Sequence, residues 1–300
     1  MLKWQTRIAC NTVKSFVPFQ NRIRSIKHSF KPPALTGHHE ALVRGILEQI
    51  EFIGTTGTSV SGARVLEIGS GWLPVAPLIY RLAGAREVVL TDQYRLLNRP
   101  SVLSAVDFVI SKADAIAPAL GIDPASIAGR LAIPREGDLP EMLAALDFTY
   151  LVPMDEGNIG EKLDIAYSHT VLEHIPPQIL GSIFKMLRNN MRNGAIFCNG
   201  IDNSDHRKNY DSALSIVDFL KYSEASWKLL CIHPQDYTNR LRHSDYLALL
   251  AEAGFEVLDA RTYVAEGRKA EVAGWSLPPR FASKTTEDLC TTWSLILARA

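Results

Sequence analysis

The stretch Ala63-Arg64-Val65-Leu66-Glu67-Ile68-Gly69-Ser70-Gly71-Trp72 decides how this chain is organised. Its apolar and partly β-branched residues, Val65, Leu66 and Ile68, are typical of a short strand covered on both faces of a parallel sheet. The two glycines that follow have no Cβ, so they permit a tight turn and let a ligand approach the backbone closely. An apolar run begins at Leu73 and predicts a helix whose first amide groups face the turn.

A second strand, Glu87-Val88-Val89-Leu90-Thr91-Asp92, ends in an acid. The distance along the chain is that of a βαβ unit whose acid binds two ribose hydroxyls. Two classes of cofactor use this layout. A dinucleotide site requires a third glycine for close helix–strand packing, but this chain has Pro74 at that position. A carboxylate at the turn, here Glu67, suits a ligand with positive charge better than a pyrophosphate.

The run Val65-Leu66-Glu67-Ile68-Gly69-Ser70-Gly71 resembles the first motif of class I S-adenosylmethionine-dependent methyltransferases. The resemblance implies S-adenosyl-L-methionine as the cofactor. It also implies an α/β fold, a Rossmann-like, seven-stranded, mostly parallel sheet with helices on both faces. In this interpretation Gly69 and Gly71 lie against the methionine part of the cofactor, Glu67 and Ser70 belong to the same turn, and Asp92 holds the ribose. The alternative is a strand–turn–helix without a ligand.

Leu163 to His169 predicts the fourth strand, which continues into Thr170-Val171-Leu172-Glu173-His174-Ile175. This segment resembles the fourth motif region of small-molecule methyltransferases. Open α/β sheets bind ligands at the carboxyl ends of their strands, so Ser168 and His169 are expected where the sulfonium meets the methyl acceptor. The third strand is followed by Asp155, a position that contacts the adenine amino group in the family; the alternative is a solvated loop acid.

Histidines are the candidates for the base, because imidazole titrates near neutral pH. We expect His206 to be the catalytic base, since Asp202 and Asp205 stand near it and an acid orients an imidazole and stabilises its cation. His174 is the second candidate. Some relatives bind a divalent metal through Glu-x-x-Glu-His, but Thr170 replaces the first glutamate here, which weakens such a site. The sequence therefore predicts no metal; the alternative is a site formed by His169, Glu173, His174 and His206.

Two arginines before the last predicted helix, Arg240 and Arg242, are planar cations suited to an anionic acceptor. The alternative is ion pairing with Asp245 or with loop acids. Together with the polar loop after strand five, this part of the chain resembles a bacterial group of methyltransferases that we associate with surface-polysaccharide gene neighbourhoods. The acceptors of that group are mostly unassigned.

The overall charge of zero hides an asymmetry. Residues 1–31 carry seven of the 32 Lys and Arg residues and no acid, so the remainder holds 25 basic against 32 acidic residues. No continuous apolar segment of a secretory signal is present in this region. Three interpretations stay open for it: a helical extension that packs on the core or closes the cofactor site, a basic amphipathic segment on an anionic membrane, and an organellar transit peptide.

The sequence thus predicts an N-terminal extension over residues 1–33 and a methyltransferase domain over 34–300. The domain contains an insertion at about 95–146 and a substrate-shaping segment at about 202–245. Four well-separated cysteines indicate a reducing compartment, and we expect a cytoplasmic enzyme, with membrane-peripheral contact through residues 1–31 as an alternative. The expected reaction is methyl transfer to oxygen on a small molecule or glycan. The alternatives are a protein or tRNA methyltransferase and a silent cofactor-binding partner subunit.

Overall fold

The computed structural model describes residues 4–15, 35, 37–154, 157–233 and 236–300. Within them one sheet contains β1 (Arg64–Ile68), β2 (Glu87–Thr91), β3 (Phe148–Leu151), β4 (Leu163–His169), β5 (Met191–Asp202), β6 (Glu256–Val264) and β7 (Thr291–Arg299). The strand order is β3-β2-β1-β4-β5-β7-β6. Strand β7 runs antiparallel to both of its neighbours, and the other pairs are parallel. The predicted seven-stranded, mostly parallel sheet is confirmed.

The α-helices of the described residues connect and cover these strands. They are α1 (Trp4–Ser15), α2 (Gly37–Gly54), α3 (Val75–Leu82), α4 (Arg99–Ser111), α5 (Ala113–Leu120), α6 (Ile127–Arg130), α7 (Leu139–Ala145), α8 (Pro177–Asn190), α9 (Glu224–Leu230), α10 (His243–Glu252), α11 (Lys269–Ala273) and α12 (Thr286–Cys290). Short 3₁₀ helices span Pro124–Ser126, Leu172–His174, His206–Asn209, Asp218–Lys221, Glu266–Arg268 and Pro279–Phe281.

Alternation of side chains along the strands gives the sheet two buried faces. Val65 and Ile165 belong to a core shared with α2, α3 and α4. The residues that follow them, Leu66 and Ala166, belong to a second core shared with α8 and α10. Helices therefore cover both faces, as predicted, and a ligand at the carboxyl ends of the strands meets a different set of side chains on each face.

Helices α4 to α7 lie between β2 and β3, where the sequence predicts an insertion. Val102 of α4 and Met142 of α7 are fully buried and pack in the first core. The segment after β5 builds a smaller third cluster around Phe219, Trp227 and Phe281. Its role in shaping a substrate site stays a prediction.

The N-terminal extension is described only for residues 4–15, so most of the predicted break and basic run lies outside the described residues. Helix α1 lies against the segment after β5: the guanidinium of Arg7 is 3.7 Å from the ring centroid of Tyr210, and Asn11 donates to Asp236 at 2.9 and 3.0 Å. Among the described helices, none combines the length and apolar character that crossing a membrane requires.

Candidate active site at the carboxyl ends of the strands

The glycine turn after β1 is tied to the end of β2. The amides of Gly69 and Ser70 donate to the carbonyl of Thr91 at 2.9 and 2.8 Å, and the amide of Gly71 donates to Asp92 Oδ2 at 2.9 Å. Gly69 has a φ of +82°, and a Cβ there would lie 2.6 Å from the Val171 methyl groups. Gly71 has a φ of +61°, but a Cβ there would meet nothing within 4 Å. Packing against Val171 thus requires a glycine at position 69, whereas Gly71 borders open space.

A cavity of about 320 Å³ opens beside this turn, on the face of the sheet covered by α2. It is lined by His38, Ala41, Leu42, Gly45, Glu67, Gly69, Ser70, Leu73, Ala76, His169, Thr170, Asp202 and Trp293. These residues include no lysine or arginine. Four of the predicted site residues therefore meet at one cavity: Glu67, Gly69 and Ser70 of the turn, and His169 at the end of β4. Asp92 does not line this cavity.

Glu67 is the buried carboxyl group of the cavity, at 6% exposure. Burial raises the pKa of Glu67 to about 7, and the hydroxyl groups of Ser70 and Tyr167 oppose this rise. A carboxyl group in this state is easily ionised by a nearby cation, because an opposite charge favours the charged form.

His169 has a defined tautomer. Its Nδ1 lies 3.2 Å from Gln49 Oε1, while Gln49 Nε2 donates to the carbonyl of Ser168 at 2.9 Å. Because the amide nitrogen of Gln49 is a donor, its oxygen accepts, and Nδ1 of the neutral imidazole must carry the proton. The unprotonated nitrogen of His169 is then Nε2. Burial and the positive charge of nearby His38 lower the pKa of His169 to about 4.

Two glycines make room for the His169 ring. A Cβ on Gly45 of α2 would lie 2.4 Å from His169 Cε1, and a Cβ on Gly200 of β5 would lie 2.9 Å from His169 Nδ1. On a further side the ring packs against Trp293 with a centroid distance of 5.3 Å. Sequence reasoning missed Gln49, Gly45 and Trp293, because only the assembled sheet brings α2 and β7 to the end of β4.

Ser168, a predicted cofactor contact, does not line the cavity. Neighbouring side chains of a strand point to opposite faces, so Ser168 lies on the other face from His169. It is fully buried, and its hydroxyl donates to Asn199 Oδ1 at 2.8 Å. The next residue, Thr170, lines the cavity with a φ of +54°, which is strained for a β-branched residue.

The two histidines predicted to be catalytic lie together beside the cavity and do not line it. The rings of His174 and His206 are 5.1 Å apart, and His206 Nε2 lies 3.2 Å from Asp202 Oδ2. Asp202 does line the cavity, so His206 reaches it only through this carboxylate. Asp202 raises the pKa of His206 against the effect of burial, whereas desolvation by the surrounding protein and the charge of His206 lower the pKa of His174, although its side chain reaches the surface. Asp205, the other acid considered at this position, pairs with Arg207 instead.

Glu173 completes this group. It is 3% exposed, and its two carboxylate oxygens have no hydrogen-bond partner among the described residues. Burial raises the pKa of Glu173 to about 8. Ligand atoms of Glu173, His174 and His206 all lie within 4.8 Å of one another.

The predicted substrate role of Arg240 and Arg242 is corrected by their burial, at 1% and 0% exposure. Arg240 donates to the carbonyls of Phe219 and Tyr222 and pairs with Glu224. Arg242 donates to the carbonyls of Asn203, Thr291 and Asp288. Both guanidinium groups satisfy backbone carbonyls inside the fold, so neither faces an acceptor.

Asp155, the predicted adenine contact, lies outside the described residues. The prediction for this residue stays untested.

No family model and no curated protein matches this chain. Several solved structures are similar to it in fold. The S-adenosylmethionine-dependent methyltransferase from Mesorhizobium loti is 16% identical, with 87% of this chain and 96% of that chain covered and a TM-score of 0.45. The magnesium protoporphyrin IX methyltransferase from Synechocystis, solved with bound SAH, is 11% identical, with 96% and 98% covered and a TM-score of 0.46. The cyclopropane synthase MmaA2 from Mycobacterium tuberculosis is 12% identical, with 91% and 88% covered and a TM-score of 0.46.

Proposed function

We propose that this protein is an S-adenosyl-L-methionine-dependent methyltransferase that methylates an oxygen of a small molecule or glycan. The observation that carries the proposal is the turn from Gly69 to Gly71, which faces open space at Gly71 and is bonded to Asp92 at the end of the next strand. In this proposal Asp92 accepts from the ribose hydroxyls, which is the role of the acid that ends the second strand of such a βαβ unit. Beside the turn, the cavity holds the ionisable Glu67, which suits a ligand with a sulfonium and an ammonium group.

The bound cofactor would supply a methyl group activated by its sulfonium charge. The protein has to hold the acceptor in line with that group and help it lose a proton. Two polar side chains of the cavity suit these tasks. His169 Nε2 accepts a hydrogen bond and orients the acceptor, since a group with a pKa of about 4 holds a proton poorly at neutral pH. Asp202, backed by His206, is a second acceptor at the same cavity.

The lining of the cavity favours a neutral acceptor. It contains no lysine or arginine, and both arginines that the sequence offers for an anion are buried elsewhere. Trp293 and the apolar side chains Leu42 and Leu73 give the cavity faces against which a sugar or an aromatic ring packs. This chemistry disfavours the alternative acceptor tRNA, whose recognition depends on cations that contact phosphates.

Binding of the cofactor is tested by calorimetry with S-adenosyl-L-methionine. We expect saturable binding at one site, and a loss of at least 10-fold in affinity in the variant Asp92→Ala, because the ribose loses a charged acceptor. Asp92→Asn keeps an oxygen that accepts from the Gly71 amide, so it separates ribose binding from support of the turn. Asp114→Ala removes an acid of α5 and is the matched control.

The result that contradicts the proposal is the absence of binding, or equal binding by wild type, Asp92→Ala and Asp92→Asn. Turnover needs the acceptor, which is sought by incubating the protein and methyl-labelled cofactor with cell fractions. A labelled small molecule or glycan supports the proposed reaction. A labelled protein or tRNA favours the first alternative, and binding without transfer to any fraction favours the silent partner subunit.

A further inference from the structure

Beside the cavity, the 3₁₀ helix Leu172–His174 and the 3₁₀ helix His206–Asn209 bring three ligand-type side chains together. We propose that Glu173, His174 and His206 bind a divalent first-row transition-metal ion such as Zn²⁺. The sequence expectation of no metal rested on Thr170 in place of a glutamate. Of the four residues that the sequence offers as an alternative ligand set, the structure brings Glu173, His174 and His206 together, and His169 is not part of the group.

The carboxylate of Glu173 is the strongest sign of a missing cation. The residue is 3% exposed, yet neither oxygen forms a hydrogen bond of good geometry with the described residues, although the backbone amides of Glu173 and Asp202 lie near the carboxylate. A buried carboxylate without a partner is costly, and buried charges are normally paired or coordinate metals. The backbone holds Glu173 in this place, because its carbonyl accepts from the amide of Asn239 at 2.8 Å.

Both imidazoles of the cluster have a carbonyl or carboxylate neighbour outside the cluster. His174 Nδ1 lies 2.9 Å from the carbonyl of Tyr237, so Nδ1 is the donor and Nε2 is left as a lone pair. His206 is held by Asp202 at 3.2 Å. Histidine ligands of metals characteristically carry such a carbonyl or carboxylate partner on the second nitrogen.

The backbone of the cluster is braced as well. Asn239 Nδ2 donates to the carbonyls of Leu172 and Ile175 at 2.8 and 2.9 Å, one on each side of the Glu173–His174 pair. Tyr246 donates to Asn239 Oδ1 at 3.1 Å. The two ligands on this turn are thus carried by a backbone that a buried polar network holds in place, with ligand atoms of all three residues within 4.8 Å of one another.

The ligand set selects the kind of ion. Two imidazoles and one carboxylate suit Zn²⁺ and its first-row neighbours, whereas Mg²⁺ and Ca²⁺ prefer oxygen ligands throughout. His174 is exposed, so an ion has a path from solvent and keeps an open position. Asp202 lies between the cluster and the cavity, which would put the ion close to an acceptor; this last point rests on the proposed function, but the binding of the ion does not.

The experiment is a titration of chelator-treated protein with ZnCl₂ by calorimetry, in a Cys10→Ser background, because Cys10 is an exposed free cysteine and thiolates are zinc ligands. We expect one ion per chain, and affinity at least 10-fold lower in each of Glu173→Gln and His206→Ala. His39→Ala removes an imidazole outside the cluster and is expected to bind zinc as the parent does. MgCl₂ is expected to produce no saturable heat.

Circular dichroism establishes that each variant is folded. If His206→Ala does not fold, His174→Gln replaces it, because this side chain is exposed. The proposal is overturned if the parent shows no saturable zinc binding, if the cluster variants bind as the parent does, or if magnesium binds equally well. A separate titration with S-adenosyl-L-methionine reports on the proposed function, so failure of one does not imply failure of the other.

Discussion

Burial acts in opposite directions on the pKa values of two single residues that line the cavity. It raises the pKa of Glu67 to about 7 and lowers that of His169 to about 4, so burial shifts both groups toward their neutral forms. A positively charged ligand reverses this preference for Glu67, because attraction to a cation stabilises the carboxylate. The ligand and the proton therefore compete at Glu67.

The pH dependence of cofactor binding follows from this competition. Below pH 7 Glu67 is mostly protonated, so binding of the cation must displace a proton and affinity falls by up to about 10-fold per pH unit. We expect calorimetry to show that affinity for S-adenosyl-L-methionine rises between pH 6 and pH 7.5 in the wild type. In Glu67→Gln the rise should be smaller and the affinity at pH 7.5 lower. An equal pH dependence in both proteins contradicts a charge role for Glu67.

The sequence predicted the position of a residue well where that position depends on neighbours close by in the chain. Glu67 and Gly69 belong to one turn of contiguous sequence, and their placement followed from that turn. The partnership of Gln49 with His169 joins residues 120 positions apart, which no local pattern reveals. Arg240 and Arg242 show the same limit, because a guanidinium that binds backbone carbonyls and one that binds an acceptor have the same sequence signature.

At the scale of elements, helix α2 forms one wall of the site. His38, Leu42, Gly45 and Gln49 recur at helical spacing and face the end of β4. Because Gly45 leaves room for the His169 ring, the variant Gly45→Ala is expected to displace the ring and to lower the free energy of unfolding by about 1–3 kcal/mol, the usual cost of overpacking. Chemical denaturation measures this change.

The same helix offers the control for that prediction. Gly54 is exposed at the end of α2, and a Cβ there would meet nothing within 4 Å. Alanine has the higher helix propensity, so Gly54→Ala is expected to be neutral or to stabilise by up to about 1 kcal/mol. A loss of stability in Gly45→Ala without a loss in Gly54→Ala supports a packing role for Gly45. A gain in stability for Gly45→Ala would show that the His169 ring has room to move.

The bounds of a strand were predictable where its apolar pattern is continuous. β4 was predicted at its observed bounds, Leu163–His169, because its pattern is nearly continuous. The continuous apolar pattern of the fifth strand covers only Ala195 to Cys198, whereas β5 extends from Met191 to Asp202. Its ends contain Gly194 and Gly200, which have low strand propensity. Gly200 pairs with His169 of β4 and Leu295 of β7, and the amide of Gly194 donates to the carbonyl of Ala300 at 2.9 Å. Tertiary pairing thus decided the length of β5 and brought Asp202 to the cavity.

At the scale of the whole molecule, Arg207 joins the N-terminal helix to the segment after β5. It is 7% exposed and pairs with Asp205 at 2.6 Å and with Asp218 at 3.1 Å. Its guanidinium carbon lies 4.6 Å from the ring centroid of Trp4 and 4.7 Å from that of Tyr222. The sequence left three interpretations open for this extension, and the contacts of α1 favour a helix that packs on the domain.

The variant Trp4→Ala tests whether α1 stabilises the segment after β5. Loss of the cation–π contact with Arg207 is expected to cost about 1 kcal/mol, which for a chain of 300 residues corresponds to a melting temperature lower by roughly 1–2 °C. Hydrogen exchange measured by mass spectrometry should become faster in residues 205–222, and exchange in β1 and β2 should not change. Gln5→Ala, at an exposed neighbouring position, is the control and should match the wild type. Unchanged exchange in residues 205–222 would mean that α1 rests on this segment without stabilising it, and the interpretation of a membrane-binding extension would then become the stronger one.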